Sequence, residues 1–283
     1  MATPADLESF EQLLEHLRQT RGFDFTAYKR TTLMRRVLNR MQTAGVPTFG
    51  AYLDYVQLHP GEFPALFNTI LINVTSFFRD PKVWAYLDTV ILPQLLENRP
   101  GSQPLRVWSA GCASGEEAYS IAMLLAERLG TEGVREHAEI FATDVDGEAL
   151  NEGRNAVFSV TSLAELPPGF AGKYFSIDER GAALNRDLRQ AVVFGRSDLL
   201  QDAPISRIDL LLCRNTLMYF NADAQKRILG RLSLSIDPEG FLVLGLAEML
   251  FSDTASFAPV DLPRRIFRVG IDPLERFLNN QID

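Results

Sequence analysis

Two cysteines and three histidines among 283 residues leave little material for thiol or metal chemistry. His16, His59 and His137 lie far apart with no metal-ligand spacing, so no metal centre is expected. Cys112 and Cys213 each end a predicted internal strand, which reads as two small buried thiols rather than a disulfide and fits the cytoplasm. No apolar run approaches the length of a membrane span. Residues 1–20 are amphipathic and rich in acids, unlike a secretory signal. Internal repeats and low-complexity segments are absent, and nothing calls for more than a monomer. The formal net charge of −8 disfavours general nucleic-acid binding. Two phosphate signatures are missing as well: the tight G-x-G-x-x-G turn and the Gly-Lys-Ser/Thr of a phosphate loop.

What remains is an ordinary globular composition, 46% hydrophobic and 23% charged, long enough for one large domain or two smaller ones. The first seventy residues read as helices. Leu7, Phe10, Leu13, Leu14 and Leu17 form one apolar stripe, and Leu33, Val37, Leu38 and Met41 form a second. Gly45 and Pro47 end the second helix, and Thr48 suits the cap of a third that runs to His59. A short helix from Phe63 to Leu71 follows, and the region from Asp80 to Leu96 is again helical. Asn98-Arg99-Pro100-Gly101-Ser102 has the composition of a linker.

Beyond residue 100, strands are predicted at 105–110, 138–143, 208–213, 241–244 and 265–269, with helices at 116–129, 146–155 and 222–235. That alternation implies a parallel sheet. Between 158 and 206 it is interrupted. There Tyr174-Phe175-Ser176-Ile177 and the apolar run 188–194 are expected to pair as a short antiparallel β insert, at about 172–194. The division expected is a helical domain over 1–75 and an α/β domain over 76–283, with the last ten residues as a loose tail.

The most informative stretch is Arg106-Val107-Trp108-Ser109-Ala110-Gly111-Cys112-Ala113-Ser114-Gly115-Glu116-Glu117. An apolar strand runs into a turn with two glycines, where the backbone can bend sharply and approach a ligand, and then into a helix. This is the nucleotide-binding crevice of an open parallel sheet. Asp144, in Ala142-Thr143-Asp144-Val145-Asp146, closes the next strand, where an acid grips ribose hydroxyls. Glu116 and Glu117 would repel a phosphate. A carboxylate there suits the ammonium or sulfonium end of a ligand such as S-adenosylmethionine; it equally suits the positive end of the helix it begins.

Charge is unevenly spread. Arg18, Arg21, Lys29, Arg30, Arg35, Arg36 and Arg40 face only Asp24 within residues 17–41. This is either a solvated helix face or a docking surface for an acidic partner.

Four segments together resemble one family. They are Asn73-Val74-Thr75-Ser76-Phe77-Phe78-Arg79, Arg106 to Met123, Ala142 to Asp146, and Cys213-Arg214-Asn215-Thr216-Leu217-Met218-Tyr219-Phe220. In order and spacing, over residues 8–270, they are similar to the chemotaxis receptor methyltransferases of the CheR family. The resemblance implies a Rossmann-like S-adenosylmethionine-dependent methyltransferase sheet domain behind a small all-helical N-terminal domain, in the α/β class. It implies methyl transfer to glutamate carboxylates on the cytoplasmic helices of methyl-accepting chemoreceptors, with S-adenosylhomocysteine as the other product.

By the same resemblance, Asn73, Thr75 and Arg79 would line the cofactor and catalytic pocket. Gly111 and Glu117 would hold the methionine part, Asp144 the ribose, Asp198 and Leu199 the adenine, and Arg214 and Asn215 would close the pocket. Tyr219 would stand near the methyl group, with Arg79 orienting the substrate carboxylate. Phe77, Phe78 and Phe220 suit core packing. Arg35, Arg36 and Arg40 would dock on a glutamate-rich helical bundle. Two departures from the family stand out. The insert loop Asp178-Glu179-Arg180-Gly181-Ala182 is short, which implies no grip on a receptor's C-terminal peptide tether. Gly245-Leu246-Ala247-Glu248 stands where relatives often carry Gly-His-Ser-Glu. A methyltransferase of small carboxylic acids and a non-catalytic S-adenosylmethionine-binding regulator are the competing readings.

Overall fold

The structure is a computed structural model that describes residues 4–21, 24–71, 73–97, 103–250 and 256–270. The predicted linker at 98–102 and the expected loose tail beyond 270 lie outside the described residues. The chain divides into two compact units. One comprises Met1–Ile72 with Tyr219–Gln225, and the other Asn73–Met218 with Lys226–Asp283. The short return segment of the first unit is absent from the division at residue 75 expected above.

In the helical unit, α1 (Pro4–Arg21), α2 (Arg30–Ala44), α3 (Phe49–Leu58) and α4 (Glu62–Ile70) bury one face each. Phe10, Leu13, Leu14, Leu17, Leu33, Val37, Met41, Tyr52 and Leu66 are all buried, with Phe10 edge-on to Phe49. Leu7 and Leu38 fall off the predicted stripes and face solvent, since each sits at the margin of its helix's apolar face. Gly45 ends α2 in the left-handed conformation, and Thr48 Oγ1 accepts from Ala51 N, as the cap predicted there requires. The return segment adds to this unit. Phe220 stacks obliquely on Tyr28, Lys29 N donates to Tyr219 O at 2.9 Å, and Asn221 N donates to Ala27 O at 2.8 Å.

The larger unit begins with α5 (Pro81–Tyr86), a wider π-type turn over Leu87–Ile91, and α6 (Leu92–Glu97). Then follow β1 (Leu105–Ala110), α7 (Glu116–His137), β2 (Ala138–Asp144) and α8 (Gly147–Asn155). Gly130 breaks the helical geometry of α7 close to the helix end predicted at 129. Next come β3 (Val157–Phe158), α9 (Phe170–Tyr174), β4 (Phe175–Asp178), β5 (Gly181–Leu184), α10 (Arg186–Ala191) and β6 (Val192–Arg196). The described residues finish with β7 (Ile208–Cys213), α11 (Ala222–Ser235), β8 (Ile236–Leu244), β9 (Phe257–Asp261) and β10 (Ile266–Val269).

Seven strands form one sheet in the order β6-β2-β1-β7-β8-β10-β9. The first five run parallel, and β10 and β9 run antiparallel at one edge. The strand order turns at β1, whose neighbours are β2 on one side and β7 on the other. Ligands of open α/β sheets bind at such a switch point, beyond the carboxyl ends of the strands. Both cysteines are free and buried, as expected.

The β insert differs from expectation. Its three strands are ordered β3-β5-β4 and are all antiparallel. The run 188–194 is not among them. It supplies the end of α10 and then β6, which lies parallel to β2 at the edge of the main sheet. Val192 is buried and Val193 exposed, an edge-strand alternation that a short apolar run alone does not distinguish from a hairpin arm. Phe77 fixes the insert by edge-on contact with Phe158 and Phe175, and with Phe78 it belongs to the core as expected.

Candidate cofactor and active site

In the larger unit, the turn between β1 and α7 is built by two glycines with positive φ. Gly111 lies at φ +81°, and a Cβ there would stand 2.3 Å from Thr216 Oγ1. Gly115 lies at φ +92°, and its Cβ would meet the Phe194 ring at 2.8 Å. A side chain at either place would strain the backbone and force its neighbour aside. Gly111 N and Cys112 N both donate to Thr143 O, which ties the turn to the end of β2.

Asp144 completes that tie. Its Oδ2 accepts from Ala113 N at 2.9 Å and its Oδ1 from Asp146 N at 3.0 Å. Each carboxylate oxygen has two lone pairs, so the same group can still accept from a pair of hydroxyls. Asp146 caps α8 through Glu148 N and Ala149 N, and Asn73 Nδ2 donates to its other oxygen at 2.6 Å. Asn73 is therefore fastened to the β2–α8 turn. Thr75 is half-buried on the same segment.

The segment that carries Arg79 is strained and tightly held. Phe78 and Asp80 both have positive φ, at 51° and 64°. Phe78 N donates to Ser120 Oγ, and Arg79 O accepts from Trp84 Nε1 at 2.8 Å and from Arg214 Nη2 at 2.7 Å. Arg79 itself donates Nη1 to Val74 O and is half-buried. Ala113 and Asn215 share the positive φ, so four of the seven such non-glycine residues among the described ones cluster at this end of the sheet. Strain of this kind persists where surrounding structure enforces it, typically at working sites.

Arg214 joins these pieces. Its Nη2 also meets Asp80 Oδ2 at 2.7 Å, its Nη1 meets Glu117 Oε2 at 3.2 Å, and its guanidinium lies over the Trp84 ring. Its buried Nε has no hydrogen-bond partner among the described residues. Glu117 takes a second hydrogen bond from Ser109 Oγ. Burial pushes Glu117, Glu116 and Asp144 above the usual carboxylate range; Arg214 and Ser109 oppose this at Glu117, and backbone N–H groups oppose it at Asp144. A cleft of desolvated acids suits a ligand that brings a cationic end and hydroxyl donors, and opposes a phosphate.

Asp198 and Leu199 are half-buried just beyond β6, where Asp198 Oδ1 accepts from Leu200 N. Glu248, Asp80, Thr216 and Trp84 belong to this constellation and were not singled out in the sequence. Glu248 and Thr216 lie inside quoted motifs, so position was the signal. Asp80 carries only its place beside Arg79, and Trp84 carries none. In the helical unit, Tyr219 is half-buried with Arg36 over its ring.

Two family profiles cover almost the whole chain. That described as "CheR methyltransferase, SAM binding domain" matches residues 73–266, and "CheR methyltransferase, all-alpha domain" matches residues 8–71. The chain belongs to the CheR methyltransferase family. Its larger unit is the S-adenosylmethionine-binding domain of that family, and the desolvated acids and glycine turn fit this cofactor. Gly111, Glu117, Asp144, Arg214 and Asn215, expected from the sequence to hold it, lie together around this turn. The chain is 32% identical over 248 residues to the chemotaxis protein methyltransferase of Escherichia coli strain K12, covering 84% of this chain and 83% of that one. It is 32% identical over 233 residues to the chemotaxis protein methyltransferase of Listeria monocytogenes, covering 82% and 86%. A third relative, an uncharacterized 104.1 kDa protein of Rhodobacter capsulatus, is 36% identical over 270 residues. That match covers 94% of this chain but only 28% of the relative's length.

Proposed function

We propose that this CheR-family methyltransferase esterifies glutamate side chains on the cytoplasmic helices of bacterial chemoreceptors. The observation that carries the reading is the Arg214 fork. It holds the backbone of Arg79 and the carboxylate of Glu117 at once, so the segment carrying the substrate-orienting arginine is tied to the cofactor acid through one guanidinium.

The chemistry asks little of the protein. A glutamate with an ordinary pKa of about 4.3 is already a carboxylate at neutral pH and needs no general base. S-adenosylmethionine supplies an electrophilic methyl when bound. Arg79 orients the incoming carboxylate, because a guanidinium grips carboxylates in a fixed fork. Charge is lost as the ester forms, so an over-tight grip would stabilise the ground state; orientation is the useful contribution.

Within the helical unit the basic segment divides in two. Arg36 donates Nη1 to Thr69 O and Ile70 O, and Arg40 pairs in bidentate fashion with buried Glu62, so both hold the unit together. Arg18 pairs with Glu15 and Arg30 with Glu11. Lys29 and Arg35 are exposed, and Arg35 is retained as the docking residue for an acidic helical bundle. The β4–β5 hairpin turns on Glu179 and Arg180, with Arg180 folded back on Asp178, which supports docking without a peptide tether.

The test is transfer of labelled methyl from S-adenosylmethionine into purified receptor cytoplasmic fragments, with base-labile release as methanol. Transfer to small carboxylic acids but not to receptor fragments would sink the proposal.

A further inference from the structure

We propose that Glu248 is a positioning residue of the cofactor cradle: it holds the loop carrying Arg214, Asn215 and Thr216 in place without itself touching cofactor or substrate. The inference rests on the reading of that cradle as an S-adenosylmethionine site.

The two loops involved leave adjacent parallel strands. Cys213, the last residue of β7, stands beside Leu244, the last residue of β8. Glu248 is only 4% exposed. Its Oε2 accepts from Gly245 N at 2.7 Å and from Asn215 N at 2.9 Å, and its Oε1 accepts from Met218 N at 3.1 Å. One carboxylate therefore closes its own turn and fastens the neighbouring loop at two points. These N–H groups lie beyond the ends of β7 and β8, and left unpaired they would carry the cost of buried, unsatisfied donors.

The second observation is steric. A Cβ on Gly245 would stand 2.7 Å from Asn215 N and 2.8 Å from Asn215 Nδ2, so the loops touch backbone to backbone. Asn215 adopts φ 59°, which a free loop would abandon. From this loop the geometry spreads in two directions. Thr216 fills the space over Gly111, and Arg214 reaches Glu117, Arg79 O and Asp80. Releasing the loop thus loosens both the glycine turn and the Arg79 segment.

A carboxylate is the right group because all the partners are donors. A glutamine would keep one acceptor oxygen and turn its own N–H₂ toward a backbone N–H. An aspartate would fall short by one methylene.

The experiment compares Glu248→Gln and Gly245→Ala with the parent protein by calorimetric titration with S-adenosylhomocysteine, thermal melting, and methyl-transfer kinetics. Loss of a charge-assisted bond inside the cradle should weaken S-adenosylhomocysteine binding about tenfold in Glu248→Gln. KM for S-adenosylmethionine should rise more than kcat falls, and the melting transition should stay cooperative. Gly245→Ala keeps the carboxylate but crowds both Asn215 N and Glu248 Oε2, at 2.7 and 2.9 Å, and should weaken binding in the same direction. Glu239→Gln, an exposed acid on β8, should leave binding unchanged. A folded Glu248→Gln that binds within twofold of the parent overturns the inference. If that variant does not fold, unchanged binding in Gly245→Ala overturns it instead. A parent protein that binds no S-adenosylhomocysteine overturns the cofactor reading, and this inference with it.

Discussion

At the scale of single residues, Arg79 and Arg214 divide the labour. In the proposed reaction the Arg79 guanidinium, held at one end by Val74 O, turns to the substrate carboxylate, while its backbone carbonyl is held by Trp84 and Arg214. Arg79→Ala should therefore lower methyl transfer about 100-fold, the cost of a misplaced reactant, with S-adenosylhomocysteine affinity changed far less. Unchanged turnover would remove Arg79 from the mechanism. Arg214 is buried against Glu117 and Asp80. Arg214→Met should cost about 3–5 kcal/mol of stability, because Glu117 and Asp80 lose the buried guanidinium they share. Adding Glu117→Gln should recover much of that loss in a melting experiment while cofactor binding stays weak. Failure of the second change to recover stability would mean that Glu117 is not the residue destabilised. The roles of Arg36 and Arg40 were hidden from the sequence for a related reason. A basic window counts only the acids inside it, and Glu62 and the α4 carbonyls that occupy these arginines come from elsewhere in the chain.

At the scale of elements, a tightly constrained contact lies between β6 and the helices beside it. The Phe194 ring lies where a Cβ on Gly115 or Gly153 would be, at 2.8 and 2.5 Å, and Tyr119 donates to Gly153 O. Gly115→Ala should cost about 2–4 kcal/mol, from left-handed strain plus overpacking. Phe194→Leu in the same chain should return the overpacking share, and a denaturant series measures both. A Gly115→Ala protein as stable as the parent would show that α7 shifts freely. The strands over 105–110 and 208–213 and the helix over 222–235 were legible to the residue, because each is a strong periodic run between clear breakers. β9 was not legible, since Pro259 lies inside it. The start of β8 was missed because Asp237-Pro238-Glu239-Gly240 reads as a turn, and the strand passes through it with a shift of register against β7.

At the scale of the whole molecule, the titration of buried acids sets the pH response. Glu116, Glu117, Asp144 and Glu248 are all raised, chiefly by burial, so folding favours their protonated forms. Their contribution is present below the ordinary value of 4.5 for glutamate, or 3.8 for aspartate, and is lost as pH rises through the raised values. Glu62 behaves oppositely. Its bond to Arg40 lowers it, so its contribution is present above 4.5 and is lost as pH falls through the lowered value. The cofactor-free protein should thus melt higher near pH 5 than near pH 7.5, and the stabilisation by S-adenosylhomocysteine should grow over the same interval. A flat profile would contradict the assignment. Electrostatics at long range should be carried by few groups. Charge reversal at Arg35 should weaken receptor methylation at low salt and matter less at high salt; equal activity at both would exclude docking through α2. The return segment 219–225 has a practical corollary. A fragment truncated after residue 71 lacks the backbone partners that Ala27 and Lys29 find in Asn221 and Tyr219, and the ring that covers Tyr28. The helical unit cannot be excised by a single cut, and during synthesis it must wait, incomplete, until some 150 further residues have left the ribosome.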